Sequence, residues 1–82
     1  MAEQIILYGT SWCWSSSRVR KLLDKNEIAY QWIDIDDDED AARVVMQITR
    51  GYRSVPTLLF PDGTSLVEPS DNELKTKLGI SD

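Results

Sequence analysis

The start of this chain alternates short apolar runs with one amphipathic segment, and that alternation restricts the folds open to it. Gln4-Ile5-Ile6-Leu7-Tyr8 is nearly continuous in apolar residues and closes on Gly9, the pattern of a short buried strand. From Trp14 to Asn26, Val19, Leu22 and Leu23 share one face and basic residues the other, which predicts an amphipathic helix stopped by Asn26. Ile28 to Ile35, carrying Tyr30, Trp32 and Ile33, predicts a second strand. Two strands joined through a helix are expected to lie parallel, with a right-handed crossover.

Six acids then fill seven positions from Asp34 to Asp40, interrupted only by Ile35. Anions suit a helix N-terminus, so the run is read as the start of a second helix. A metal loop or a patch for a basic partner is the alternative, but the alternating ligands and glycine of a calcium loop are absent. Ala41, Val44, Val45 and Ile48 give that helix its apolar stripe, and Gly51 is expected to end it. Thr57 to Phe60 reads as a strand, Pro61-Asp62-Gly63-Thr64 as a turn, and Ser65-Leu66-Val67 as the returning arm of a hairpin. Ser70 or Asp71 can cap a last helix running to about Leu78, before Gly79. The order β-α-β-α-β-β-α predicts an α/β fold, with one mixed four-stranded sheet covered by three helices. A single domain over residues 1–82 is expected, without internal repeats or linkers.

With 41% apolar and 28% charged residues, the composition is that of an ordinary globular protein. One cysteine rules out an internal disulfide. With no histidine, the chain also lacks the ligands of a conventional zinc site and the partner for a cysteine–histidine hydrolase pair. A net charge of −5 argues against nucleic-acid binding. Arg18, Arg20, Lys21 and Lys25 nevertheless cluster behind the cysteine. Met-Ala-Glu-Gln carries no basic segment, apolar run or cleavage pattern, so no signal peptide is expected. No stretch approaches the ~20 apolar residues of a membrane span. A free thiol then suggests a reducing cytoplasm.

Cys13 lies where the first strand turns into the first helix. The opening N–H groups of a helix lack intrahelical partners and carry about half a positive charge, so a thiol held there is favoured as thiolate. A free cysteine is otherwise a small core residue; the junction and the polar Ser15-Ser16-Ser17 favour a reactive one. Ser16, about one turn on, can donate to the thiolate, or the serines simply supply first-turn polarity. Trp12 and Trp14 are either core or an apolar rim for a disulfide partner.

Three motifs in this order resemble the glutaredoxins within the thioredoxin fold. They are Trp12-Cys13-Trp14-Ser15-Ser16, Ser54-Val55-Pro56 and Pro69-Ser70-Asp71. The stretches around Tyr8–Cys13, Ile28–Asp36 and Arg53–Asp71 look most like small bacterial members, including the mycoredoxins. The resemblance implies that Cys13 attacks, with Ser16, Trp14 and Ser15 around its thiolate. It implies a cis bond before Pro56, with Val55 pairing to the bound thiol through its backbone. Trp12 and Arg53 would contact substrate, Arg53 through a carboxylate, and Ser70 and Asp71 would meet the far end of glutathione. No permanent cofactor or metal is implied; glutathione or mycothiol would be co-substrate, protein disulfides the partners, and a monomer is expected.

Two departures stand out. Ser16 replaces a second cysteine, which removes an internal disulfide, whether by nature or by engineering of a dithiol parent. Glu68-Pro69 stands where members often carry Gly-Gly, setting bulk and negative charge near the seat of glutathione. One thiol is sufficient for exchange. A pKa lowered from about 8.5 to about 6 raises the thiolate fraction at neutral pH roughly 30-fold, while intrinsic nucleophilicity falls about 13-fold. The larger gain comes when the same sulfur leaves. A carrier that accepts a small thiol from a protein mixed disulfide and passes it on is the leading expectation. An iron–sulfur carrier joining two Cys13 thiolates and two small thiols is the alternative, although Trp14 stands where C-G-F-S members have glycine. A redox-inactive binding module is a third reading.

Overall fold

A computed structural model describes residues 4–80. Its elements follow the expected order: β1 (Ile5–Gly9), α1 (Trp14–Lys25), β2 (Tyr30–Asp34), α2 (Glu39–Thr49), β3 (Thr57–Leu59), β4 (Ser65–Val67) and α3 (Asp71–Leu78). The strands form one mixed sheet in the order β2-β1-β3-β4, with β1 and β2 parallel and the other pairs antiparallel. Strand β2 is shorter than its apolar run suggests. Ile28 belongs to the turn from α1, where its N–H bonds the Leu23 carbonyl at 3.0 Å.

Alternation along β1 divides the core in two. Ile5 and Leu7 pack with Val19, Leu23, Leu58, Phe60 and Leu74, joining the sheet to α1 and α3. Tyr8 packs with Ile35, Ala41, Ala42 and Val45, joining the sheet to α2. Successive strand side chains point to opposite faces, so one short strand serves both layers.

The helix ends are set by side chains. Asn26 closes α1, its side-chain amide donating to the Leu22 carbonyl at 2.8 Å. Asp38 caps α2 by accepting the Ala41 N–H at 3.0 Å, and Glu39 and Asp40 fill the first turn. Ser70 and Glu73 form a reciprocal capping box on α3. One expected boundary moves. Arg50, not Gly51, is the left-handed C-cap of α2, with φ 63°, and the following Gly51 stands at φ 107°. Two successive residues make that turn, and only the second is free of a β-carbon.

The register gathers four loops at one end of the sheet. Gly9 is opposite Asp34, Tyr8 is opposite Thr57, and Thr57 is opposite Val67. The segments 10–13, 35–38, 54–56 and 68–70 therefore leave or enter the same edge. The Glu68 N–H bonds the Pro56 carbonyl at 2.8 Å and ties two of them together.

Candidate active site

Cys13 is the N-cap of α1, with extended backbone at φ −83° and ψ 119°. Its own N–H closes a turn onto the Thr10 carbonyl at 3.3 Å, and its carbonyl accepts the first helical bond from Ser17 at 3.1 Å. The N–H groups of Trp14, Ser15 and Ser16 are thereby left without intrahelical acceptors. As a neutral thiol the side chain makes no cap hydrogen bond; the local donors matter when it ionises. Partial burial disfavours the thiolate. Hydrogen bonding from the Ser16 hydroxyl, the Ser16 and Ser15 N–H groups and the Thr10 hydroxyl outweighs it, and the pKa falls below the ordinary thiol value.

Ser16 is fully buried, and its Oγ accepts the Thr10 N–H at 3.4 Å. It lies close beneath Gly9: a β-carbon there would stand 2.6 Å from Ser16 Oγ and 2.8 Å from the Trp32 ring. Thr10 is 3% exposed, and its Oγ1 has no conventional hydrogen-bond partner. This leaves the hydroxyl available to the sulfur. The sequence marks Gly9 as the end of a strand but gives no sign of its close approach to Ser16, and Thr10 is not distinctive without the fold.

Trp12 and Trp14 are not core: they are 73% and 76% exposed, immediately before and after Cys13 in sequence. Trp12 is steadied by an indole N–H bond to Asp36 at 2.7 Å, and Asp34 accepts the Ser11 N–H at 3.2 Å. Part of the acidic run thus supports the thiol loop as well as opening α2, a use invisible before β2 is placed beside β1.

The bond between Val55 and Pro56 is cis, with Pro56 buried and Val55 partly exposed at the same sheet edge. Arg53 is exposed and reaches the Ile35 carbonyl at 3.4 Å. Ser70 and Asp71 open α3, but their side chains are engaged. Ser70 Oγ accepts the Glu73 N–H at 3.1 Å, and Asp71 is ion-paired with Arg18. What that terminus offers a ligand is its backbone: the Asp71 and Asn72 N–H groups lack intrahelical acceptors. Glu68 sits at φ 48°, a conformation suited to glycine. Among the described residues no cluster of His, Cys, Asp and Glu has the arrangement of a metal site.

A family model for glutaredoxin matches residues 5–65, spanning the thiol, the cis-proline segment and β3. The chain belongs to the glutaredoxin family. A Mycobacterium tuberculosis protein named as a glutaredoxin is 42% identical over 74 residues, covering 90% of this chain and 88% of the relative. Mycoredoxin 1 of Corynebacterium glutamicum is 36% identical over 76 residues, covering 93% and 94%. A buckwheat glutaredoxin solved with glutathione superposes at a TM-score of 0.70 with 28% identity, covering 92% of this chain and 69% of that one. This glutaredoxin is therefore a mycoredoxin-like redox protein with the thioredoxin-like fold, and its single cysteine fits a monothiol member. No helix among the described residues is long and apolar enough to cross a membrane.

Proposed function

We propose that this glutaredoxin is a monothiol thiol–disulfide oxidoreductase that moves a small thiol between protein mixed disulfides and the free thiol pool. The observation that carries the reading is Cys13 at the mouth of α1, its ionised form favoured by Ser16, Ser15 and Thr10. The Cys13 thiolate attacks the small-thiol sulfur of the mixed disulfide, the S–S bond breaks, and the client leaves as a thiolate that takes up a proton. A second small thiol, as its thiolate, attacks the small-thiol sulfur now bonded to Cys13. The Cys13 thiolate departs and a small-molecule disulfide forms. In sum one free small thiol is consumed: the client is released as its thiol, and the two small-thiol sulfurs, one carried in on the client and one from the pool, end in the small-molecule disulfide. A low pKa assists the second step, because the weaker base is the better leaving group.

Val55 offers edge backbone to the bound thiol, and Trp12, Arg53, Ser70 and Asp71 surround its seat. Glutathione and mycothiol are the candidate co-substrates. The buckwheat complex supports the first and the mycoredoxin relative the second. The test is mass spectrometry of Cys13 after incubation with each oxidised small thiol, beside turnover of the matching mixed disulfide. Alkylation of Cys13 with the pH profile of an ordinary thiol, and no turnover, would remove the reading.

A further inference from the structure

The thiol chemistry above uses none of the four basic residues that follow Cys13 on α1. Two have partners within the protein. Arg20 stacks over Trp32, 4.3 Å from the ring centroid, and Arg18 binds the Asp71 carboxylate and, at 3.0 Å, the Pro69 carbonyl. Lys21 and Lys25 are exposed, with no hydrogen bond or ion pair among the described residues. Both line a cavity of about 410 Å³ between α1 and α3, with Arg18, Leu22 and Lys75 in its walls. The carboxylate in that lining, Asp71, is neutralised by Arg18. A second depression of about 230 Å³, lined by Trp14, Ser17, Arg18 and Lys21, shares two residues with the first. Together they form a path along one face of α1 from Trp14, next to Cys13 in sequence, to Lys25, with Lys21 and Lys25 as its exposed cations. Asp34 and Asp36 do not line this path; they accept from Ser11 and Trp12, the two residues before Cys13.

We propose that this path seats an acidic, extended segment of the client polypeptide whose mixed disulfide Cys13 attacks, so that the glutaredoxin selects clients by charge. The proposal rests on the redox reading above. Its occupant is set by spacing as well as sign. Lys21 and Lys25 are separated by about 6 Å of helix rise, and alternate side chains of an extended chain by about 6.7 Å. Carboxylates at alternate positions of a strand-like segment therefore match successive cations. The overall charge of −5 repels acidic partners in general, which leaves this path as the favourable approach.

The test uses peptides holding one cysteine as its glutathione mixed disulfide, flanked by alternating glutamates or by glutamines. The expected result at low salt is a kcat/KM about five- to tenfold higher for the glutamate peptide, with the gap closing at high salt. The double variant Lys21→Glu/Lys25→Glu is expected to lose or reverse that preference, while turnover of the small glutathione–hydroxyethyl mixed disulfide stays unchanged. Equal rates for the two peptides, or a preference that survives the double variant, would overturn the proposal. So would competition by citrate as effective as that of a cysteine-free glutamate peptide, which would assign the path to small anions. If no glutathione disulfide is turned over, the same peptides are presented as mycothiol mixed disulfides, and failure of both ends the redox reading separately. Binding of the cysteine-free peptides, read by tryptophan fluorescence, then decides the groove: glutamate-selective binding lost in the double variant supports it, and equal binding overturns it.

Discussion

Ser16 Oγ accepts the Thr10 N–H at 3.4 Å from inside the protein. That bond uses a lone pair and leaves the hydroxyl proton of Ser16 free to donate, and hydrogen bonding from this side chain lowers the Cys13 pKa. A buried serine is thus oriented by the same turn that closes Cys13 onto Thr10. Ser16→Ala is expected to raise the Cys13 pKa. Loss of a charge-assisted hydrogen bond worth ~1.5 kcal/mol should cut the thiolate fraction at mildly acidic pH about tenfold. Alkylation there should slow about three- to fourfold, because the more basic thiolate is the better nucleophile. The pH profile of iodoacetamide labelling checks this.

Thr10 supplies a second, independent donor. Thr10→Val keeps the shape and removes an otherwise unpartnered buried hydroxyl. It is expected to raise the Cys13 pKa with little loss of stability, since the hydroxyl has no acceptor in the neutral state, and Thr10→Ser is expected to restore it. An unchanged labelling profile in the valine variant would show that the hydroxyl does not reach the sulfur.

Stability should carry the same signature with a definite sign. A folded-state pKa below the unfolded one means that the native protein binds fewer protons. The resulting stabilisation is complete above the unfolded thiol value and fades as pH falls through the lower folded value. Unfolding free energies of the parent and Cys13→Ala should therefore diverge as pH rises between those limits, in favour of the parent. Urea titrations across that window read the difference.

Gly9→Ala should damage the site through packing alone. The added carbon would stand 2.6 Å from Ser16 Oγ and 2.8 Å from Trp32, which requires displacement of one or both. A destabilisation of about 1–3 kcal/mol is expected from such overpacking, together with a raised Cys13 pKa as Ser16 is pushed aside. Thermal unfolding and labelling report the two effects separately.

Glu68→Gly should act in the opposite direction. A residue with a β-carbon at φ 48° is strained by ~1–2 kcal/mol, part of which glycine returns through its greater unfolded-state freedom. A net gain of about 0.5–1 kcal/mol in chemical denaturation is expected. Removing the charge should also improve turnover with glutathione if that is the thiol seated beside Ser70.

The elements were legible because their signals are local. Gly9, Asn26 and Gly79 act as punctuation, and the period of Val19, Leu22 and Leu23 belongs to a helix. Cys13 was legible because strand, turn and helix onset are contiguous around it. The rest of the site depends on register. That Asp36 holds Trp12, that Ser16 lies under Gly9 and that Arg18 engages Asp71 follow from which strands become neighbours, 7 to 53 positions apart in sequence. The engagement of Ser70 and Asp71 by internal partners was hidden for the same reason. Glycine tolerates the left-handed conformation best, which points to Gly51 as the helix stop, yet Arg50 adopts it first.

An oxygen buried three positions after the reactive sulfur has a kinetic corollary. Under the proposed reaction, a chain with no second cysteine cannot discard its cargo unaided, so every cycle would wait for a fresh molecule from the surroundings. Throughput would then rise and fall with the abundance of that reductant, making the protein a gauge of the pool that feeds it.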